Sequence, residues 1–158
     1  MIEVHNNVRY FFFWGGYFSN WHPSEFTIDD VTFNCGEQYM MFHKALTFED
    51  FASAEKIMST TSPAEQKKLG RKVIKFTEAK WDEVKYDLVK IGLREKFKQN
   101  PKLKEFLIRH KNCQIVEASP DDAIWGIGYS EYSAVKNIDN WGENLLDKIL
   151  TELANELT

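Results

Sequence analysis

Residues 79–99 carry Trp81, Val84, Leu88, Ile91, Leu93, Glu95 and Phe97 at mixed three and four spacing, and Asn100-Pro101 closes the run. Side chains three and four positions apart share one face of a helix, and a proline pushes the residue before it out of the helical region. The spacing therefore predicts one long helix with an abrupt end, in a chain that is helical for most of its length. A second helix is expected over residues 37–46, and a third over 48–59 with Phe51, Ala54, Ile57 and Met58 on one face. Ser62-Pro63-Ala64-Glu65 reads as a capping box with proline at the first helical position, launching a helix that Gly70 ends. Residues 102–109 and 142–157 complete the helical set.

The β signal is smaller. Residues 9–34 alternate aromatic and polar groups and are interrupted by Gly15-Gly16, Pro23 and Asp29-Asp30, which predicts short strands or loops and a tight hairpin around Ile28-Asp29-Asp30-Val31. Gln114 to Ala118 reads as a further strand. The expected fold class is mainly α: one multihelical domain over residues 1–158, with a small β component near the N-terminus and around residues 114–118. A chain of 158 residues with 43% hydrophobic composition can bury a core without metal or disulfide staples.

Several function classes are disfavoured at once. No run of about eighteen apolar residues occurs, and the first seven residues are neither a basic leader nor an apolar signal core, so a cytoplasmic location without membrane association is expected. Cys35 and Cys113 read as small buried hydrophobes, and His5, His22, His43 and His110 lack zinc-like spacing. No metal, no cofactor and no obligate protein partner are expected, and activity should survive chelation. The net charge of −4 conceals a polarised distribution. Residues 66–111 hold 15 basic against 6 acidic side chains, leaving that stretch at +9, and the flanks hold 5 against 18, leaving them at −13. Such asymmetry suits a phosphate-attracting surface, although exposed helix faces carry lysines for solubility as well.

Two clusters look chemical. In residues 35–45 an acid, Glu37, and a base, Lys44, stand seven apart in an otherwise apolar helical run, which puts both on one helical face after about two turns. Burying a carboxylate without compensation costs several kcal/mol, about enough to force protonation instead, so Glu37 is either a site residue or a satisfied glutamate paired with Lys44 or with backbone N–H groups. In residues 117–128 a strand delivers Glu117, Asp121, Asp122, Trp125, Gly126 and Gly128 into a loop. Its plain reading is a turn in which the aspartates cap the next segment and Trp125 packs on the core. Its chemical reading is a binding loop on a rigid element.

Taken in order, the motifs form a recognisable set: Phe18-Ser19-Asn20; Cys35-Gly36-Glu37-Gln38-Tyr39-Met40-Met41 with Lys44-Ala45; Ser62-Pro63; Leu69-Gly70-Arg71; Trp81; Lys96-Phe97-Lys98-Gln99-Asn100; Val116-Glu117-Ala118-Ser119; Asp122 with Trp125-Gly126-Ile127-Gly128; and Trp141-Gly142-Glu143-Asn144. The set closely resembles the NADAR, or YbiA-like, N-glycosidase family over nearly the whole chain. Two positions depart from it. Asp147 stands where the family usually has glycine, three residues after the asparagine that Asn144 matches, and Gln38 replaces a histidine found in some members. Both bear on subfamily and substrate more than on the reaction.

The resemblance implies a mainly helical fold with a little β structure and hydrolysis of a C–N bond between ribose and an amine or nucleobase. The substrates it implies are ribosyl or ADP-ribosyl small molecules: early riboflavin-pathway ribosylamino intermediates, or ADP-ribose on guanine, in which case DNA is the carrier. By position it makes Glu37, Trp81 and Asp122 the catalytic set, and Asn20, Lys44, Trp125, Gly126 and Asn144 lining or support. Breaking an N-glycosidic bond places positive charge on the ribose C1 and ring oxygen and negative charge on the departing nitrogen, so two carboxyl groups can divide the work. Glu37 is the preferred water-activating base and charge stabiliser; Asp122 is assigned to the ribose hydroxyls or to leaving-group assistance, with the reverse assignment open. Trp81 offers a face for stacking a base, or is a core residue. Lys67, Lys68, Arg71 and Lys72 are placed to meet a diphosphate or a strand backbone. The rival readings are an ADP-ribose or nucleotide binding module without turnover and a structural nucleic-acid protein using only its basic stripe.

Overall fold

Both tight turns in the first third of the chain are made by paired acidic or amide residues with positive φ. Asn6 and Asn7 (φ 49° and 67°) join β1 (Ile2–His5) to β2 (Val8–Phe13), and Asp29 and Asp30 (φ 50° and 66°) join β3 (Phe26–Ile28) to β4 (Val31–Phe33). Two consecutive left-handed residues match the twist of a hairpin, and short polar side chains tolerate that conformation best. The computed structural model describes residues 1–158, whose contacts divide them into two units, residues 20–100 and residues 1–19 with 101–158.

The unit of residues 20–100 is built on α1 (Gly36–Thr47), against which α2 (Phe51–Met58), α3 (Pro63–Gly70) and α4 (Glu78–Gln99) all pack. Close approach is set by small residues. Gly92 of α4 lies flat under the Tyr39 ring of α1, where a Cβ would collide with the ring, and Gly70 of α3 lies under the Met41 thioether. The Tyr39 hydroxyl donates to the Leu88 carbonyl at 2.8 Å, and burial pushes its pKa up to about 12, so it serves as a neutral donor. Phe26, Phe33 and Tyr39 form the core of the β3–β4 hairpin with Ile28, Val31, Phe42, Met58 and Leu88 around them.

Helix starts follow their caps. Asp50 begins α2, accepting the Ser53 N–H at 3.1 Å and the Ser53 hydroxyl at 2.6 Å, and it also accepts the Ile74 N–H at 3.0 Å. These donors hold its carboxyl below the usual carboxylate range. Helix α2 therefore starts at Phe51, later than the expected residue 48. Only half of the expected capping box at Ser62 forms: its hydroxyl accepts the Glu65 N–H at 3.3 Å, while its own N–H donates to the Thr60 hydroxyl and not to Glu65. The buried stripe of α4 also differs from the expected one. It runs Trp81, Lys85, Val89, Gly92, Leu93, Lys96 and Phe97, whereas Ile91 is 49% exposed. A hydropathy pattern passes over the two lysines, whose aliphatic stems pack like any apolar side chain.

The other unit contains a three-stranded sheet in the order β1-β2-β5, with β5 (Gln114–Glu117) parallel to β2 and Tyr10 opposite Gln114. On one side of the sheet Tyr10, Phe12, Val116, Ala118, Ile127 and Ala134 form a core that Trp141 closes, its indole N–H donating to the Ala134 carbonyl at 2.8 Å. On the other, Phe11, Phe18, Phe106 and His110 pack edge to face or tilted, at centroid separations of 4.5 to 5.9 Å. Helix α5 (Pro101–Arg109) and a 3-10 helix (Val135–Asn140) belong here, as does α6 (Leu145–Glu156), which packs on β5. The expected mainly helical class with a small β component is the one observed, with β1 and the 3-10 helix as additions to the expected elements.

Candidate active site

Glu37 occupies the first turn of α1 and is 5% exposed. Its N–H donates to the Asn20 carbonyl at 2.9 Å, and the Asn20 side chain lies against Gly36, where a Cβ would meet Oδ1 at 2.8 Å. Gly36 is thus required by the approach of Asn20. That carboxamide is itself buried, 7% exposed, and its Oδ1 has no hydrogen-bond partner. Two turns along, Lys44 is half-buried. Burial lowers its pKa, the Glu37 carboxylate works against that, and the Arg71 guanidinium reinforces it. The Lys44 ammonium stands 4.5 Å from the centre of the Phe76 ring. Glu37, Asn20, Lys44 and Arg71 thus share one neighbourhood, as the helical spacing of Glu37 and Lys44 implies.

Neighbours that resemble site residues in sequence are structural here. Gln38 accepts the Asn34 N–H at 2.7 Å and donates to the carbonyls of Ile57 and Thr60, so its amide is fully used in tying α1 to the end of α2. Gln66, fully buried, accepts from the Cys35 thiol at 3.2 Å and donates to Asn34 Oδ1 and the Thr60 carbonyl. Burial pushes the Cys35 thiol up and keeps it protonated, which removes it as a nucleophile. Trp81, 7% exposed, belongs to the buried side of α4 in this unit. Lys96, fully buried on the same helix, is held down to about 8 by desolvation, with Cys35 opposing the shift; the sequence reading took it only as part of a motif.

In the other unit, the loop after β5 is tied to the start of α6 by backbone bonds. Glu143, Asn144, Leu145 and Leu146 donate in turn to the carbonyls of Ala123, Gly126, Ile124 and Trp125 at 2.8 to 3.2 Å. Gly142 allows this seam, since a Cβ there would collide with the Ala123 carbonyl, and Gly126 is pressed against the carbonyls of Glu117 and Asp122. Asp122 Oδ1 accepts the N–H groups of Ile124 and Trp125, each at 2.9 Å, which is the turn-capping role its position suggests; the carboxylate retains its second oxygen. Asp122, Trp125, Gly126 and Asn144 are therefore one local structure.

The residue that sequence reasoning noted without giving it a role is Asp147. It is 4% exposed and accepts from Gln114 Nε2 at 3.1 Å, Asn144 Nδ2 at 3.0 Å and the Thr151 hydroxyl at 3.1 Å. Desolvation nevertheless pushes its carboxyl up to about 6. The spacing Asn144, Asp147, Thr151 places all three on one helical face, which is the signal available in the sequence. No group of three or more His, Cys, Asp or Glu is arranged to hold a metal ion.

With this geometry in place, comparison with known proteins is specific. Residues 12–158 match a family model described as the NADAR domain. The chain is 43% identical over 146 residues to N-glycosidase R617 of Acanthamoeba polyphaga mimivirus, an alignment covering 88% of this chain and 86% of that one. It is 30% identical to N-glycosidase YbiA of Escherichia coli over 90% of this chain and 81% of that one. It is also 27% identical to the riboflavin biosynthesis protein VVA0006 of Vibrio vulnificus, where 90% of this chain covers 35% of that protein. Its fold matches the solution NMR structure of E. coli YbiA with a TM-score of 0.77 and 27% identity, covering 98% of this chain and 87% of that one.

Proposed function

The chain belongs to the NADAR family, and from that premise we propose that it is an N-glycosidase that hydrolyses the C–N bond between a ribose carbon and an amine or nucleobase, with ADP-ribose on guanine in nucleic acid as its substrate. The observation that carries the reading is Glu37, a carboxylate 5% exposed at the start of α1, electrostatically coupled to Lys44, which in turn feels Arg71. Water adds to C1 of the ribose as the C–N bond breaks, the bonding pair leaves with the nitrogen, and a proton reaches that nitrogen. Glu37 accepts the proton of the attacking water and stabilises the positive charge that develops at C1 and the ring oxygen. Lys44 and Arg71 supply positive charge for the phosphates, Arg71 with a planar fork that fits a phosphate oxygen pair and Lys44 as a point charge. Trp81 is the stacking surface for the departing base. Asp122 assists the ribose hydroxyls or the leaving group, a role tested by its own Asp122→Asn variant.

The preference for a nucleic-acid carrier follows from the +9 balance of residues 66–111. Neutralising several backbone phosphates makes affinity fall steeply with added salt, whereas a small ribosylamino phosphate gives a shallow dependence. The relative named for riboflavin biosynthesis supports the second reading, a ribosylamino pyrimidine phosphate. One experiment separates them: purified protein is incubated with ADP-ribosylated guanine in single-stranded DNA and, separately, with ribosylamino-pyrimidine phosphate, and products are identified by mass spectrometry. Free ADP-ribose from the first supports the main reading. Ribose phosphate from the second alone transfers the assignment to the alternative, and binding without product from either supports a reader module.

A further inference from the structure

Asn144 precedes α6 with its backbone in the left-handed region (φ 51°) and gives no side-chain cap to the helix. Its carboxamide is turned instead toward the following turn, where Nδ2 donates to Asp147 Oδ2. An ionised carboxylate can only accept, so Asp147 determines which end of the amide faces it. The other end, Oδ1, is then directed away, in a residue 6% exposed, and has no hydrogen-bond partner. Asp147 is fixed in turn by Gln114 of β5 and by Thr151 one turn further along α6. The N–H groups of Asn144, Leu145 and Leu146 already donate to carbonyls of the preceding loop, so this helix start presents no cluster of donors to an anion. The group left to be satisfied is an acceptor, and what satisfies it is a donor.

We propose that Asp147 is a positioning residue that locks the Asn144 carboxamide with its oxygen presented to a hydroxyl or amine N–H of the ribosyl ligand, so that this corner of the protein reads a neutral donor and not a phosphate. The inference rests on the reading of the chain as a protein that takes ribosyl substrates. It adds to that reading the class of group recognised and the residue that enforces the recognition. Asp147 acts through Asn144 and does not itself touch the ligand.

The test is a double-mutant cycle read by calorimetric binding of ADP-ribose and, as control, of ADP, which lacks the second ribose. Asn144→Ala and the isosteric Asp147→Asn should each weaken ADP-ribose about tenfold, the size of one lost hydrogen bond, and leave ADP unchanged within about twofold. The double variant should bind no more weakly than Asn144→Ala alone, because the second change has nothing left to orient. Melting curves identify variants that fail to fold, and Asp147→Ser replaces Asp147→Asn if that variant does. The proposal is overturned if Asp147→Asn binds ADP-ribose as the unaltered protein does, if its loss adds to that of Asn144→Ala, if ADP weakens equally, or if the unaltered protein does not bind ADP-ribose. Cleavage distinguishes the two claims. A protein that hydrolyses its substrate but shows an additive cycle loses only this inference, and one that shows the cycle without cleaving either ribosyl substrate loses only the hydrolase reading.

Discussion

Two buried acids, each close to the start of a helix, are handled in opposite ways. Asp147 of α6 is enclosed by three neutral donors from Gln114, Asn144 and Thr151, and its charge is borne by hydrogen bonds alone, with desolvation still raising its pKa. Glu37 of α1 stands near cations, a half-buried Lys44 and an exposed Arg71, whose long side chains can move to meet a ligand. A carboxylate caged by short neutral side chains is part of the frame, whereas one attended by flexible cations is equipped to exchange partners. The difference teaches that burial alone does not mark a catalytic acid: the chemistry of the neighbours does.

The sharpest way to break this contrast is to remove each charge without changing shape. Glu37→Gln should lower single-turnover cleavage by about 10²–10⁴-fold and leave ADP-ribose affinity within a few-fold, while Asp147→Asn should act mainly on affinity. Equal losses of turnover from both would erase the distinction. Stability should rank the two acids the other way. Asp147→Ala strands three donors in the interior and should cost about 2–4 kcal/mol in urea unfolding, against less than about 1 kcal/mol for Glu37→Gln.

The pH dependence sharpens the point further. The folded-state pKa of Asp147, about 6, lies above that of an unfolded aspartate, so its stabilising contribution is fully present below about pH 4 and is lost as pH rises through 6. The unaltered protein should therefore lose stability relative to Asp147→Asn over that window, at up to about 1.4 kcal/mol per pH unit, as measured by denaturant unfolding at stepped pH. A flat difference would show that the carboxyl is not strained by its burial. The smallest effects concern the frame that holds Glu37. Gly92→Ala forces the Tyr39 ring to move and should cost about 1–3 kcal/mol, whereas Gly70→Ala meets only the flexible Met41 thioether and should cost less than about 1.5 kcal/mol. The melting temperatures of the two variants check the order.

Much of this frame can be read from the chain because its signals are local. Ser62-Pro63 starts α3, Asn100 ends α4, and Asp29-Asp30 makes the hairpin turn, each through a contact with residues a few positions away. The boundary of α2 was missed because Asp50 was read as helix interior, and its use as a cap depends partly on Ile74, far along the chain. The parallel pairing of β2 with β5 joins residues about a hundred positions apart and has no local signature. At the candidate site, Glu37 stands out because an acid in an apolar helical run is conspicuous. Asp147 does not, since its meaning comes from Gln114 on another strand and from an amide oxygen left over once Asn144 has been oriented. Lys85 and Lys96 escaped the helical pattern because hydropathy registers their charges and not their stems.

The most direct test of the central claim is a single turnover in ¹⁸O-labelled water, run with guanine-ADP-ribosylated oligonucleotide and with ribosylamino-pyrimidine phosphate, comparing the unaltered protein with Glu37→Gln by mass spectrometry. The account predicts that one of the two substrates yields a free ribosyl product carrying a single ¹⁸O, and that Glu37→Gln leaves that substrate intact while still binding it. Intact substrate in both reactions with the unaltered protein, or labelled product at an undiminished rate from Glu37→Gln, would contradict it.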